Sequence, residues 1–549
     1  MKGVSYAIAA ATTIWVAAIV VIRRKRSVVN RLRGPPSPSW LLGNEQDILR
    51  QSEVGNIESR WIREYGTTFK ISSCYGRAGI FTVDPRAIQH IFQTAGYRYS
   101  RRADSTQMNR NMFGRSILSA SSSEVHQRHR KVMNPVFTAQ QLRGFLPVFQ
   151  TVASRMTQKL KDQIQNGEKS FNIISWLGRC TLDAIGTAAF NYPFGALEDS
   201  HEDELSQSLE NLFADTLPFP PKWDLLFKSA WRYIPTSILQ LVEYMPTKEY
   251  RRFRRFRKLC RGVAKALIRE NTGATHSDVD RDFGENSAGS RRDFMSVMAR
   301  ANDSEDPRRQ LDEEEVLSQM GTLILVGHDT TANTLSWLLY ELSKHLDDQE
   351  RVRDEIQARR AQLPSGAPFT ISDLESLTFT NATIKEALRL HPIVFELRRT
   401  AERDDTIPLD IPIVTTDGEV IKELPIRKGQ DLFISISGYN RLPSIWGDDA
   451  DAWNPRRFID VPRKENEKRT AVGVYANLMS FSGGVRACIG WRFALIELQA
   501  LVVEMIENFT VSLPDGVEIS RLPAGMMIPV VKDKLDEGTQ MPLVLSLVE

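Results

Sequence analysis

Near the carboxyl end of the chain, a cysteine set among glycines stands directly before an apolar run with helical periodicity. Residues 481 to 490 read Phe-Ser-Gly-Gly-Val-Arg-Ala-Cys-Ile-Gly, and WRFALIELQALVVEMIENF follows. Backbone N–H groups and the positive end of a helix dipole at such a position favour thiolate over thiol, which a metal-ligating sulfur requires. Gly483, Gly484 and Gly490 let the backbone turn tightly and approach a flat partner without side chains in the way. By itself a buried cysteine before a helix is usually inert core, so the other segments decide its meaning.

With 549 residues, 42% hydrophobic and 25% charged, the chain has the make-up of a globular protein with a large core. Lys plus Arg number 71 against 68 Asp plus Glu, a formal charge of +3, so no overall field points to a nucleic-acid partner. Cys74, Cys180, Cys260 and Cys488 lie far apart, with no pair at metal-finger or redox spacing. That suits a reducing compartment better than a disulfide framework.

Residues 4 to 22 (VSYAIAAATTIWVAAIVVI) carry no charge, and as a helix they would span about 28 Å, close to the hydrocarbon thickness of a bilayer. Arg23, Arg24, Lys25 and Arg26 follow, against Lys2 alone before the run. The basic flank should therefore stay cytoplasmic, with the remaining chain in the cytosol. A cleaved secretory signal, the competing reading, would put its basic residues ahead of a shorter apolar run. Pro35, Pro36 and Pro38 cannot continue the helix. The chain thus divides into an anchor with its basic flank (1–26), a proline-rich hinge (27–40) and one large body (41–549).

Within the body no further segment reaches membrane-spanning length, and no internal repeat is evident. Residues 69 to 83, β-branched and aromatic with breaks at Gly76 and Gly79, read as a hairpin. Helical periodicity covers 141–165, 172–191, 203–215, 311–345 and 490–508, while strand signals return only near 395–437. The fold class is therefore mainly α with a small β-sheet region. Residues 271–292, rich in Gly, Ser, Asn and Asp, read as a surface loop. In the basic run 249–262, Phe253 and Phe256 share one helix face with arginines on the others. A solvated helix seated by two aromatics suits it better than a nucleic-acid or lipid binder.

The 311–345 helix would be about 52 Å long and cross the whole body; its acidic first turn, Asp312 to Glu315, suits the dipole. Its apolar middle, Met320 to Val326, yields to Gly327-His328-Asp329-Thr330-Thr331, polar residues where the helix should be most buried. A threonine can bond the carbonyl four residues back and locally open a helix, making space for a small ligand and water. Farther on, Glu386 and Arg389 stand at i, i+3 on one helix face, weak evidence when taken alone.

In this order the segments resemble the cytochrome P450 family, over about residues 35 to 530. F-x-x-G-x-R-x-C-x-G is similar to the family's haem-binding segment. That implies Cys488 as axial thiolate ligand of haem b, Arg486 paired with a haem propionate and Phe481 beside the sulfur. A thiolate ligand favours cleavage of the oxygen–oxygen bond and so oxygen activation. Glu386 and Arg389, followed by Trp453-Asn-Pro-Arg-Arg-Phe458, resemble the family's E-x-x-R network, with Arg457 as third member. Arg456 replaces a frequent acid and should be exposed.

Residues 326–331 resemble the oxygen-activation motif, which implies a catalytic proton relay through Asp329 and Thr330. Val326 stands where Ala or Gly is usual and would narrow the pocket, and His328 occupies a variable position, as a packing or surface residue. HQRHR at 126–130 resembles the family's W-x-x-x-R, so His126 and Arg130 should reach the propionates. Arg399 matches another propionate contact, with Arg398 as the alternative, and the histidine variant resembles fungal members.

The resemblance implies a microsomal monooxygenase at the endoplasmic-reticulum membrane, inserting one atom of dioxygen into a hydrophobic small molecule. About 61 residues follow Cys488, and no G-x-G-x-x-G follows a strand, so no flavin or nicotinamide domain is built in. Electrons from NADPH should arrive through a separate NADPH-cytochrome P450 reductase, with cytochrome b5 as a further candidate. The family's substrate-contacting segments map near 106–120, 320–326, 393–397 and 525–529. Met320, Val326, Ile393, Val394, Phe395, Met526 and Met527 would then line the pocket, suiting a terpenoid, fatty acid or aromatic and hence secondary-metabolite biosynthesis. The rivals are a haem-thiolate isomerase or peroxide-rearranging enzyme and a non-catalytic haem sensor or carrier; retention of Asp329 and Thr330 counts against both.

Overall fold

The computed structural model describes residues 28–120, 122–198, 204–209, 212–214, 217–278, 310–460 and 470–548, with single positions between 294 and 308. The expected anchor at 1–26 falls outside the described residues. Among those described, no helix is long and apolar enough to cross a membrane.

Helices make up most of the body: α1 (Ser123–Met133), α2 (Ala139–Gln165), α3 (Ile173–Phe190), α4 (Lys222–Ala230), α5 (Lys248–Asp278), α6 (Glu313–Lys344), α7 (Thr378–Leu390) and α8 (Trp491–Asn508). The start of α6 is set by a capping box: the Glu315 N–H donates to Asp312 at 2.9 Å and the Asp312 N–H donates back to Glu315 at 3.2 Å. From there α6 is buried on nearly every side and packs against α3, α5, α7 and α8, which makes it the axis of the body. Edge-on contacts of Phe145 and Phe149 with Phe493, at 5.6 and 4.9 Å between ring centres, bind α2 to α8. Each such buried ring contributes about 1.5–3 kcal/mol.

The largest sheet combines β1 (Thr68–Ser73), β2 (Arg77–Thr82), β3 (Tyr99–Arg101), β4 (Glu396–Ala401) and β7 (Asp431–Ser435) in the order β1-β2-β7-β4-β3. The expected hairpin is β1–β2, where Phe69 opposes Phe81 and their rings stack at 4.6 Å. β5 (Asp405–Val414) and β6 (Val420–Ile426) form a hairpin of their own. The proline-rich stretch read as a hinge lies on the body from Val28 onward. The Lys70 N–H donates to Arg33 O at 2.9 Å, the Thr416 N–H to Arg31 O at 2.7 Å, and Leu32 is buried.

Two element boundaries differ from expectation. α5 runs through Asp278, so 271–278 are helical rather than loop; Gly273 weakens a helix by about 1 kcal/mol but does not end one. Among the described residues of 203–215, Glu204–Leu209 are helical and 212–214 lie in a turn. Phe253 and Phe256 are both buried and seat the basic helix α5.

Candidate active site

Cys488 stands three residues before α8, and its N–H donates to Phe481 O at 2.9 Å, closing the loop. Ser482 and Gly484 take left-handed backbone, φ 58° and 64°. A Cβ on Gly484 would meet Phe92 O at 1.8 Å and one on Gly483 would meet Val472 O at 2.2 Å, so neither position admits a side chain. The loop presents Cys488 to an internal cavity of about 790 Å³, from which its sulfur is accessible. Burial pushes its thiol pKa up, opposed by the Gly490 N–H and the Arg130 guanidinium. The stabilising effect of the helix start is thus present but outweighed, and a coordinated metal cation is what would deprotonate such a thiol outright.

Besides Arg398, four guanidinium groups line the same cavity: Arg101 from β3, Arg130 from α1, Arg399 from β4 and Arg486 from the cysteine loop. Arg130 donates to Ala487 O at 2.6 Å and Arg399 to Arg398 O at 3.0 Å, while Arg101 donates to Leu118 O. Arg486 lies over the Tyr97 ring at 5.4 Å, and its buried Nε and Nη1 have no hydrogen-bond partner. Among the described residues none of the four forms an ion pair. The strand register even sets Arg101 directly opposite Arg399, an arrangement of like charges that destabilises a sheet.

Burial and mutual repulsion hold Arg101 down at about 10 and Arg399 well below the usual guanidinium range. Burial alone lowers Arg130 and Arg486, against small opposing contributions from Cys488 and Tyr97. Guanidinium resists deprotonation, so such a cluster calls for an anion. His126, also lining the cavity, pairs its Nδ1 with the Tyr97 hydroxyl at 3.1 Å. Burial and then Arg486, Arg101 and Arg130 push its pKa down to about 3, so the ring is neutral. Arg398 is already neutralised by Glu396 at 2.6 Å and Glu45 at 3.3 Å, which leaves Arg399 as the free cation of the two.

α6 crosses the cavity with Thr322, Leu323, Val326, Gly327, Thr330, Thr331 and Thr334 facing it. The helix is continuous rather than opened. Thr330 Oγ1 donates to Val326 O at 2.9 Å, Asn333 Nδ2 to Asp329 O at 2.8 Å, and Thr334 Oγ1 to Thr330 O at 2.8 Å. Asp329 lies beside Thr330 but is not among the lining residues; its buried Oδ2 has no partner, and burial raises its pKa to about 7. His328 is buried, with Nδ1 2.7 Å from Ile324 O. Phe481 lines the cavity and packs edge-on against Tyr475.

Of the expected lining, Val326, Ile393, Val394 and Met526 face the cavity, but Met320, Phe395 and Met527 do not. Met320 precedes the first lining residue of α6 and is fully enclosed by core. Phe395 and Met527 each follow a lining residue but are themselves buried in the main hydrophobic core. Sequence reasoning also missed Arg101, Tyr97 and the whole segment from Phe213 to Tyr250, parts of which line the cavity. The arginine-rich run at 98–102 was the one available signal for Arg101, and nothing local tells which of its arginines turns inward.

Away from the cavity, Glu386 accepts from Arg389 at 2.7 and 2.8 Å and from Arg457 at 3.1 Å. Arg389 also donates to the carbonyls of Asn440, Ala450 and Ala452, and Arg457 pairs with Asp449 at 2.9 Å. Arg456 is exposed.

The family model for cytochrome P450 matches residues 33–536. This chain belongs to the cytochrome P450 family. It is 31% identical to cytochrome P450 monooxygenase 205 of Postia placenta, over 98% of this chain and 96% of that relative. It is 30% identical to ganoderic acid synthetase CYP5150L8 of Ganoderma lucidum, over 89% of each chain. To cytochrome P450 monooxygenase claU of Ampulloclitocybe clavipes it is 29% identical, over 97% of this chain and 95% of the relative. The chain is thus a P450 monooxygenase with fungal relatives. The P450 family implies haem held by a cysteine thiolate, and the residues present fit that group. Cys488 faces a large cavity beside four cations that lack a counter-anion, as two propionates would require.

Proposed function

We propose that this P450 inserts one atom of dioxygen into a C–H or C=C bond of a hydrophobic small molecule in secondary-metabolite biosynthesis. Electrons come from NADPH through a separate reductase. One observation carries the reading: a single cavity is lined by Cys488, the unpaired arginines, Thr330 and apolar walls that include Val326 and Ile393. Bound haem with a thiolate ligand supplies oxygen activation. Arg101, Arg130, Arg399 and Arg486, helped by His126, hold the anionic edge of that group, and the apolar walls keep water from the reacting region. Asp329 holds or releases a proton near neutral pH because its pKa stands at about 7. Thr330, next to it on α6, presents a hydroxyl on the cavity side.

The secondary-metabolite reading is supported by relatives named ganoderic acid synthetase and claU. Attachment to the endoplasmic-reticulum membrane, with the body in the cytosol, rests on the uncharged run 4–22 and its basic flank. It is further supported by exposed Trp40, Trp223, Tyr233, Leu241 and Tyr244. Trp40 lies against Gly76 while Tyr233 accepts from Arg77, so these residues share the β1–β2 turn as neighbour.

The test is turnover of a hydrophobic substrate panel by the purified full chain, with reductase plus NADPH or with peroxide alone, beside Cys488→Ala. The expected result is oxygenated product that requires reductase and NADPH, a red-shifted Soret band for the reduced carbon monoxide complex, and loss of both in Cys488→Ala. Product formed with peroxide alone would favour the rearranging enzyme, and stable haem binding without product from any substrate would favour the sensor.

A further inference from the structure

The cavity that reaches Cys488 is also lined by Asp224, Lys228, Glu249 and Tyr250. Charged groups set among apolar walls raise the free energy unless something engages them. Asp224 and Lys228 stand one turn apart on α4, and Glu249 opens α5. Lys228 Nζ bridges the two acids, 2.9 Å from Asp224 Oδ2 and 3.0 and 3.2 Å from the Glu249 oxygens. All three side chains are largely buried, at 8% exposure for Asp224, 17% for Lys228 and 12% for Glu249.

One ammonium against two carboxylates leaves acceptors in excess. The Tyr250 hydroxyl, beside them, is buried without a hydrogen-bond partner. Desolvation and the neighbouring Asp224 charge both raise the pKa of Glu249 in spite of Lys228, which shows how incompletely the lysine compensates the pair. A ligand amine would meet the Lys228 ammonium, and a ligand carboxylate would meet two acids. A neutral hydroxyl can donate to the spare carboxylate oxygen while accepting from Lys228 or Tyr250. The cavity of about 790 Å³ runs from Cys488 to this pole, so the apolar body of a substrate would lie between the pole and the haem that shares the cavity.

We propose that Asp224, Lys228, Glu249 and Tyr250 form a polar pole that binds a hydroxyl of an otherwise apolar substrate and so decides which distant carbon faces the bound haem. This deepens the monooxygenase reading by naming a substrate class, hydroxylated apolar molecules of polycyclic size. These residues position the substrate and take no part in bond making.

The experiment measures binding of 5α-androstan-3β-ol and 5α-androstane to the haem-loaded full chain, by the Soret shift and by calorimetry, without reductase or NADPH. The 3β-amino and 3-carboxylic analogues are measured alongside. The alcohol should bind about tenfold more tightly than the hydrocarbon, as expected for a hydrogen bond to a charged group. Asp224→Asn and Glu249→Gln should each cut that preference at least threefold, and the double variant should bring it within twofold, with hydrocarbon affinity unchanged. Asp224→Ala is a second variant at the same position, and haem content checks that each variant is folded. An alcohol that binds no better than the hydrocarbon, a preference that survives the double variant, or tighter binding of amine or acid overturns the proposal. Because no turnover is involved, failure here leaves the reductase-dependent activity untouched, and failure of that activity leaves this binding result standing.

Discussion

Arg389 and Arg399 lie ten residues apart in the chain, and both are buried. Their surroundings differ completely. Arg389 closes on Glu386 with two short hydrogen bonds and hands its remaining donors to backbone carbonyls, so its charge is answered within the protein. Arg399 has Arg101 across the strand pair and Arg486 nearby, and among the described residues no acid pairs with any of them. The closed cluster holds the body together, while the open one destabilises it until an anion arrives. Buried charge therefore marks a binding site only when it is left unpaired.

The largest effect comes from opening the closed cluster. Glu386→Gln leaves Arg389 and Arg457 buried without their carboxylate and should cost about 3–5 kcal/mol. Chemical unfolding of the full chain should show it, and a loss below about 1 kcal/mol would mean that the two clusters do not differ as described.

Relieving the open cluster should have the opposite sign on the haem-free protein. Arg399→Leu should leave its stability unchanged or slightly higher while speeding loss of haem to an acceptor protein about tenfold, or roughly 1.4 kcal/mol. Arg398→Leu sharpens the contrast, because Arg398 is already paired with Glu396 and Glu45. It should leave haem retention unaltered, and equal haem loss in both variants would erase the distinction drawn here.

A third buried ionisable group, Glu497 on α8, is neither ion-paired among the described residues nor open to the cavity. Both its oxygens are buried without a well-formed hydrogen bond, and burial, opposed by the neighbouring Thr331 hydroxyl, lifts its pKa from 4.5 to about 8. Because the folded state binds this proton more tightly than the unfolded one, its stability contribution is fully present below about 4.5 and is lost as pH rises towards 8. Glu497→Gln should therefore gain a few degrees in thermal midpoint over the native chain at pH 8 and much less at pH 5. A pH-independent difference would show that Glu497 finds a partner in solution.

Local motifs made much of this legible. The glycines around Cys488, the i, i+3 spacing of Glu386 and Arg389 and the polar interruption of α6 each act within a few residues, so their consequences show in the letters themselves. Arg101 did not show, because its importance comes from standing opposite Arg399, nearly 300 residues later. Met320 and Val326 look alike as apolar residues of one helix, yet only Val326 reaches the cavity. Nothing local in the sequence marks Asp224, Lys228 and Glu249 as a group, and only the folding of α4 and the start of α5 over the cavity brings them together there.

The sequence by itself determined the family, the mainly helical body with its small sheet, and the sulfur that faces the cavity, since these follow from short-range spacing and periodicity. Which charges are matched, which arginine of a neighbouring pair is free and which side chains meet the substrate were decided only by tertiary structure. Electrostatic pairing depends on distance in space and on removal from water, and neither quantity is written in the order of residues along the chain.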